Sequence, residues 1–392
     1  MSDIEYRRAT ADDLPALSSM LSVAFGDTPE SIVEWLERSG LDSVRTLLHR
    51  GTPQGCALHI AMGQYFAGRS VPMTGIAGVT IAPEARGKGR AAELMRRCVA
   101  EIQAEGVPLS VLYASTQALY RVAGYEQAGH LWTLRVPVHR IDVAGRGAPF
   151  RPATDDDMPA IDACYARAVR HRDGYLDRTE YIWKRIRKPR VGTVRSYVLG
   201  SAGGVDAYVF FRQSSDDVPG GRHNLLITDM AAVTPDAARS LLAFLRGFSS
   251  MAVDAIWQGG PVDPLLTLLP EQSVTLTRRE YWMLRIADVA GALTQRAYAP
   301  GLAASLHLHV TDDALPSNAG PIVLSIADGA GHVERGGDAR IRLGVRALAS
   351  IYTGFHRPES LAALGLVESP EDDLRRLGAA FAGAAPAMSD MF

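Results

Sequence analysis

Within six residues, Arg86-Gly87-Lys88-Gly89-Arg90-Ala91, the chain sets two glycines among three cations. That composition suits a backbone cradle for a phosphate or pyrophosphate. Glycine lets an anion approach the main chain with no Cβ in the way, and arginine bonds phosphate oxygens bidentately. The run lies between a β-branched strand end, Val79-Thr80-Ile81, broken at Pro83, and a helix that places Leu94, Cys98, Val99 and Ile102 on one face, with Gly106 suited to stop it. A strand-to-helix loop of this kind turns orphan N–H groups and the positive end of the helix dipole toward its occupant, which favours an anion. Neither nucleotide fingerprint fits. There is no G-x-x-x-x-G-K-[ST], and G-x-G-x-x-G fails because Gly89 is followed by Arg90-Ala91-Ala92. Downstream, PLSVLYAS (108–115) reads as the next strand and ALYRVAGYE (118–126) as a short helix closed by a Gly-Tyr turn.

The elements that must hold this loop recur along the chain. Residues 7–17, RRATADDLPAL, and 151–161, RPATDDDMPAI, agree at seven of eleven positions, 144 residues apart. Each copy reads as a strand end, a threonine cap (Thr10, Thr154), an acidic first turn and an amphipathic helix, so Asp155-Asp156-Asp157 needs no metal to explain it. In the second copy AAVTPDAARSLLAFL (231–245) takes the place of the glycine-rich turn and has no glycine, so any cradle is lost there and a structural role, walling a cleft, is expected. VAGRGAPF (143–150) reads as the linker between copies. From about residue 296 the character changes: Leu306, Leu308 and Val310 alternate, as do Ile322, Leu324 and Ile326, then Ile341, Leu343 and Val345. A helical tail from about Leu348 to Phe381 follows, interrupted by GFHRPES and LVESPED. The expected fold class is α/β (α+β), two related α/β units and a third α+β segment, and 392 residues are too many for one ordinary core.

Composition excludes several classes. A net charge of −2, with 47% apolar and 21% charged residues, gives no general pull toward nucleic acid or an anionic membrane. The cationic run Lys184-Arg185, Arg187-Lys188 and Arg190 reads as a solvated helix face. Cys56, Cys98 and Cys164 form no C-x-x-C pair, and Cys98, on the apolar stripe, reads as a buried thiol. The start MSDIEYRRATADD has no apolar core and no run is long enough to span a membrane, so a cytoplasmic protein is expected. Ten histidines offer no H-E-x-x-H, and His307 with His309 are two ligands at most, so no metal is expected.

The pattern that does fit residues 86–91 is [QR]-x-x-G-x-[GA], which, with the strand, helix and Gly-Tyr that follow, resembles the acetyl-coenzyme A pyrophosphate loop of the GNAT acetyltransferases. Over essentially the whole chain the layout is similar to the enhanced intracellular survival (Eis) acetyltransferases, which have an active GNAT region, a second GNAT region without cofactor and a sterol-carrier-protein-like region. The resemblance implies boundaries at 1–146, 147–292 and 293–392, with the C-terminus in the active site. It implies acetyl-coenzyme A held by Val79, Thr80 and Ile81 along a splayed strand, by Arg86, Gly87, Lys88, Gly89, Arg90 and Ala91 at the pyrophosphate, and by Ser115 and Thr116 beside the thiol. It further implies Tyr120 as general acid, against a core tyrosine with a satisfied hydroxyl, and the α-carboxylate of Phe392 as base, against a disordered tail. Met391 precedes Phe392, so any extra acidic charge near that end must come from Asp390.

For the amine, AFGD (24–27) and the next helix resemble a substrate wall with Phe25 and Trp35 as platforms and Asp27 as anion, although both aromatics also suit an ordinary core; Asp288 is a candidate from the far side. Such a cleft would select polycations by charge and cation–π contact. Ala77 and Gly78 are small residues that bear on cleft width. The expected function is acetyl-coenzyme A dependent N-acetylation of primary amines of cationic small molecules, aminoglycosides or polyamines, in a homo-oligomer, by resemblance a hexamer. The alternatives are a lysine acetyltransferase acting on proteins or peptides, and a non-catalytic ligand-binding protein.

Overall fold

The computed structural model describes residues 3–143, 145, 147–189, 192–201, 204–216, 218 and 220–392, with the side chains of Ser201 and Arg279 excepted. Ala144 and Arg146 of the linker and Arg190 of the cationic run lie outside the described residues. The chain divides into two units, one of residues 1–129, 281–384 and 392, the other of residues 130–280 and 385–391.

In the first unit, strands β1 (Ile4–Arg8), β2 (Val44–His49), β3 (Thr52–Phe66), β4 (Arg69–Ile81) and β5 (Leu109–Tyr113) lie side by side in chain order, and residues 282–286 pair with β5. The pairs are antiparallel except β4 with β5, whose parallel register runs Met73↔Leu109, Thr74↔Ser110 and Gly75↔Val111. That register stops at Gly75, so the remainder of β4 pairs with β3 alone and its other edge is open. On the paired side the register slips between Cys56↔Thr80 and Leu58↔Ala77, which inserts one extra residue into β4. Gly78, at φ +58°, takes the strained conformation of this bulge.

Helices α1 (Leu14–Phe25), α2 (Pro29–Ser39), α3 (Arg90–Ala104) and α4 (Gln117–Val122) flank the sheet. The start of α1 follows the sequence reading: Thr10 and Asp13 form a capping box, and Arg7 grips Asp13 at 2.6 and 3.1 Å. The repeat in the second unit reproduces it with Thr154, Asp157 and Arg151. Leu94, Cys98, Val99 and Ile102 of α3 are all fully buried. The thiols of Cys56, Cys98 and Cys164 are unpaired, and burial pushes each up to about 12.

Also within the first unit, residues 304–311, 320–327, 330–335, 341–344 and 367–368 form a separate five-stranded sheet. Its alternating apolar residues are buried as the pattern predicts, except that Val345 opens the helix Val345–Tyr352 instead of extending the strand, because the strand ends at Gly344. Arg285, wholly buried, bonds Asp312 at 2.9 and 2.7 Å beside Asn318, joining this sheet to the strand next to β5.

In the second unit, the order is residues 132–137, 252–259, 223–232, 204–214, 195–201 and 151–152. A parallel pair runs His223↔Ala252, Leu225↔Ala255 and Leu226↔Ile256. Leu134, Val136, Val209, Phe211, Leu225, Leu241, Leu245 and Trp257 centre its core, with the helix Pro235–Arg246 packed over the sheet. Among the described residues no helix is long and apolar enough to cross a membrane.

Candidate active site

Arg86–Gly89 is an exposed loop that feeds directly into α3, whose first residues are the half-buried Arg90 and Ala91. Gly87 and Gly89 have φ of +75° and +72°, and a Cβ built on either meets nothing within 4 Å. Conformation, not crowding, demands glycine here, and the space above the backbone is open. Gly89 is the N-cap of α3 and no side chain caps that helix; the first intrahelical bond runs from the Glu93 N–H to the Gly89 carbonyl at 3.1 Å. The donors at this end are left for an external acceptor. Arg86 Nε donates to the Ile81 carbonyl at 3.4 Å, Lys88 Nζ to the Glu84 carbonyl at 2.9 Å and Arg90 Nε to Gln54 Oε1 at 3.0 Å. None of the three cations forms an ion pair among the described residues, so their charge is uncompensated at the loop.

From this loop the open edge of β4 leads back through Ile81, Thr80 and Val79 to Gly75, about 20 Å at strand rise. At Gly75 the β4–β5 pairing ends, and the Phe392 ring lies against that glycine: a Cβ there would stand 2.6 and 2.9 Å from two of its ring carbons. The same ring lies 5.9 Å from that of Tyr113, the last residue of β5. Ser115 and Thr116 follow at the exposed turn into α4, where Thr116 is the N-cap. Tyr120, one turn into α4, is 5% exposed and meets Tyr125 edge-on at 6.2 Å. Its hydroxyl has no hydrogen-bond partner among the described residues, and burial pushes it up to about 12. A neutral, unengaged phenol is thus available to donate a proton. By contrast Tyr125 is the satisfied core tyrosine, its hydroxyl 2.7 Å from Ser110 Oγ.

On the amine side, Phe25 is 56% exposed at the end of α1 and meets Trp35 of α2 edge-on, 6.1 Å between centroids at 85°. The Trp35 ring rests on Gly78, where a Cβ would collide with it at 2.9 Å, so the small residue at the bulge seats this tryptophan. Asp27, between the helices, accepts the Thr28 N–H at 2.9 Å. Asp288 is not brought to this group. It stands at the N-cap position of the helix Val289–Gln295 without a side-chain capping bond, its N–H bonds the Pro108 carbonyl at 3.3 Å, and it lines a cavity of about 170 Å³ with Gln103, Asn318 and Arg335. That position is at the start of β5, about 13 Å along the strand from Tyr113. Asp390 likewise supplies no loose charge at the chain end, since it is buried against Arg178 in the second unit.

Among the described residues no three His, Cys, Asp or Glu gather where they could hold a metal ion. The residues sequence reasoning missed are Gly75, Tyr113 and Gln54; the signal was available only for Gly75, a glycine inside a strand, which often marks a close approach.

Comparison with known proteins identifies the family. Residues 5–128 and 174–286 each match a family described as acetyltransferase (GNAT) domain, and residues 289–389 match the sterol carrier protein domain. A GCN5-related N-acetyltransferase of Anabaena variabilis, of known structure, superposes with a TM-score of 0.92 at 34% identity, covering 99% of this chain and 100% of that one. The chain belongs to the GCN5-related N-acetyltransferases. This acetyltransferase is also 29% identical to the N-acetyltransferase Eis of Mycobacterium tuberculosis over an alignment of 407 residues, 96% of either chain. To an uncharacterised N-acetyltransferase of Streptomyces avermitilis it is 30% identical over 321 residues, 76% of either chain. Tandem GNAT regions followed by a sterol-carrier-like region make it Eis-like in layout, as the repeat and the change of character near residue 296 predict.

Proposed function

We propose that this enzyme transfers the acetyl group of acetyl-coenzyme A to primary amines of cationic small molecules of aminoglycoside or polyamine type. The observation that carries the reading is the uncapped start of α3 behind Gly87 and Gly89, connected along the open edge of β4 to a buried, neutral Tyr120. The residues fit the donor. Open backbone donors and three uncompensated cations suit a pyrophosphate, and a strand edge about 20 Å long suits an extended amide-bearing arm. When bound, acetyl-coenzyme A supplies an activated thioester carbonyl.

The N–H groups of Val79 and Ile81 hold the extended arm and polarise the carbonyl. Ser115 and Thr116 flank its thiol end, where the Tyr120 O–H protonates the departing sulfur. Phe392, its ring held by Gly75 and Tyr113, presents an α-carboxylate, a kind of group ionised at neutral pH and able to take a proton from the amine, directly or through water. Phe25 and Trp35 offer aromatic faces to a cation and Asp27 a negative charge. Homo-oligomeric assembly is part of this reading.

The test is thiol release with a panel of aminoglycosides, polyamines and lysine peptides, run on the native protein and on one extended beyond Phe392. Turnover of the small cations that vanishes on extension, with donor binding kept, supports the reading. Turnover undiminished by extension removes Phe392 as base. Turnover of peptides alone moves the substrate to proteins, and donor binding without any turnover moves the function to ligand binding.

A further inference from the structure

We propose that the cleft of the second GNAT repeat docks the chain's own C-terminal segment, with Arg178 and Asp229 as positioning residues for Phe392. The inference rests on the reading of Phe392 given above. The second repeat keeps the strand geometry of the first. Its parallel pair opens beyond Leu226↔Ile256, and the register slip between Phe210↔Asp229 and Phe211↔Ile227 leaves Thr228 as the extra residue, the counterpart of the bulge in β4. The helix start, however, is closed to anions. Thr234 caps it, its side chain accepting the Ala237 N–H at 3.1 Å, and Asp236 adds negative charge in the first turn.

The opened strands wall a cavity of about 750 Å³, and Ser389, Asp390 and Met391 share its lining with Asp229 and Trp257. Backbone bonds lead the segment there: His130 N–H to the Pro386 carbonyl at 3.2 Å, Met388 N–H to the His130 carbonyl at 3.2 Å, and Ala387 N–H to the Asp173 carbonyl at 3.0 Å. Arg178 then grips two carboxylates through two edges of its guanidinium. Nη1 and Nη2 reach Asp229 at 2.6 and 3.0 Å; Nε and Nη2 reach Asp390 at 3.2 and 2.9 Å. The side chains of Arg178, Asp229 and Asp390 are 1%, 6% and 5% exposed. Asp229 also accepts the Tyr208 hydroxyl at 2.6 Å, and the guanidinium lies 3.6 Å over the Tyr165 ring. The socket is therefore fixed from several sides without the tail. A carboxylate buried there is costly unless paired, and Arg178 is the partner Asp390 has. Two residues of extended chain span at most about 7 Å, so holding Asp390 confines the terminal residue.

The test variant is Asp390→Ala, which leaves Arg178 paired with Asp229 and so spares the fold, checked by an unchanged unfolding midpoint. Two readouts are taken: release of Phe392 by a carboxypeptidase that prefers aromatic ends, and steady-state acetyl transfer. We expect release to accelerate and kcat to fall, each by about tenfold or more, with the donor KM within about twofold. Asp390→Asn, which keeps one acceptor oxygen for Arg178 and loses the other with the charge, falls between. Faster release with unchanged kcat upholds the dock and removes Phe392 as base. Unchanged release overturns the dock, whatever the activity.

Discussion

Gly75→Ala tests the seat of the terminal residue without touching either the loop or the tail. The glycine is in ordinary strand conformation, so alanine carries no backbone penalty there. The added Cβ would meet two Phe392 ring carbons at 2.6 and 2.9 Å and the methyl of Met62. The Met62 methyl ends a flexible side chain and can swing aside. Ordinary carbon contacts lie near about 3.6 Å, so the ring must retreat by about 1 Å. If it stays, overpacking costs about 1–3 kcal/mol; if it moves, the carboxylate moves with it, and a displacement of that size costs up to about 10²-fold in rate. Steady-state thiol release should show kcat lowered by about 10- to 100-fold. The donor KM should hold, since the loop lies about 20 Å away along β4. An unaltered kcat together with an unaltered unfolding midpoint in Gly75→Ala would refute the seat, and with it the role given to Phe392.

Three further outcomes are expected. Gly89→Ala forces an L-residue to φ +72° at a cost of about 1–2 kcal/mol, and should raise the donor KM about tenfold in steady-state kinetics while changing kcat little. Tyr120→Phe should lower kcat by about 10²–10⁴-fold; because burial lifts the Tyr120 hydroxyl to about 12, the wild-type rate profile should show no alkaline loss from this group until pH approaches that value. Arg7 and Arg151 hold the Asp13 and Asp157 carboxyls below their usual 3.8, so both pairs stabilise the folded chain above that pH and lose their contribution as pH falls through the depressed values. Thermal unfolding between about pH 2 and 6 should lose part of its acid limb in the double variant Asp13→Asn/Asp157→Asn.

Local signals were legible in the sequence. The capping boxes at Thr10 and Thr154, the apolar stripe of α3 and the alternating strands after residue 304 each depend on neighbours a few positions away. Long-range meetings were not. Nothing near Gly75 announces Phe392, and Asp390 gives no sign of Arg178, because those contacts are set by where strands stop pairing. Asp288 is a long-range case of the same kind: the residue type suits an amine site, but its strand runs antiparallel to β5 and carries it past the end away from Tyr113.

The two repeats show how little separates a cleft that takes an anion from one that does not. Both carry a parallel pair that opens, a bulge in its first strand, and a helix between its two strands. The second helix satisfies its own start with Thr234, a cap worth about 1 kcal/mol. The first forgoes such a cap and holds Gly89 in a left-handed conformation, which leaves its donors exposed beside three cations. A sequence that breaks a local rule of helix stability needs a gain elsewhere, and a bound anion provides one. The second cleft has its helix closed, and on the reading proposed above it serves the chain's own tail, with Asp390 held by the buried Arg178.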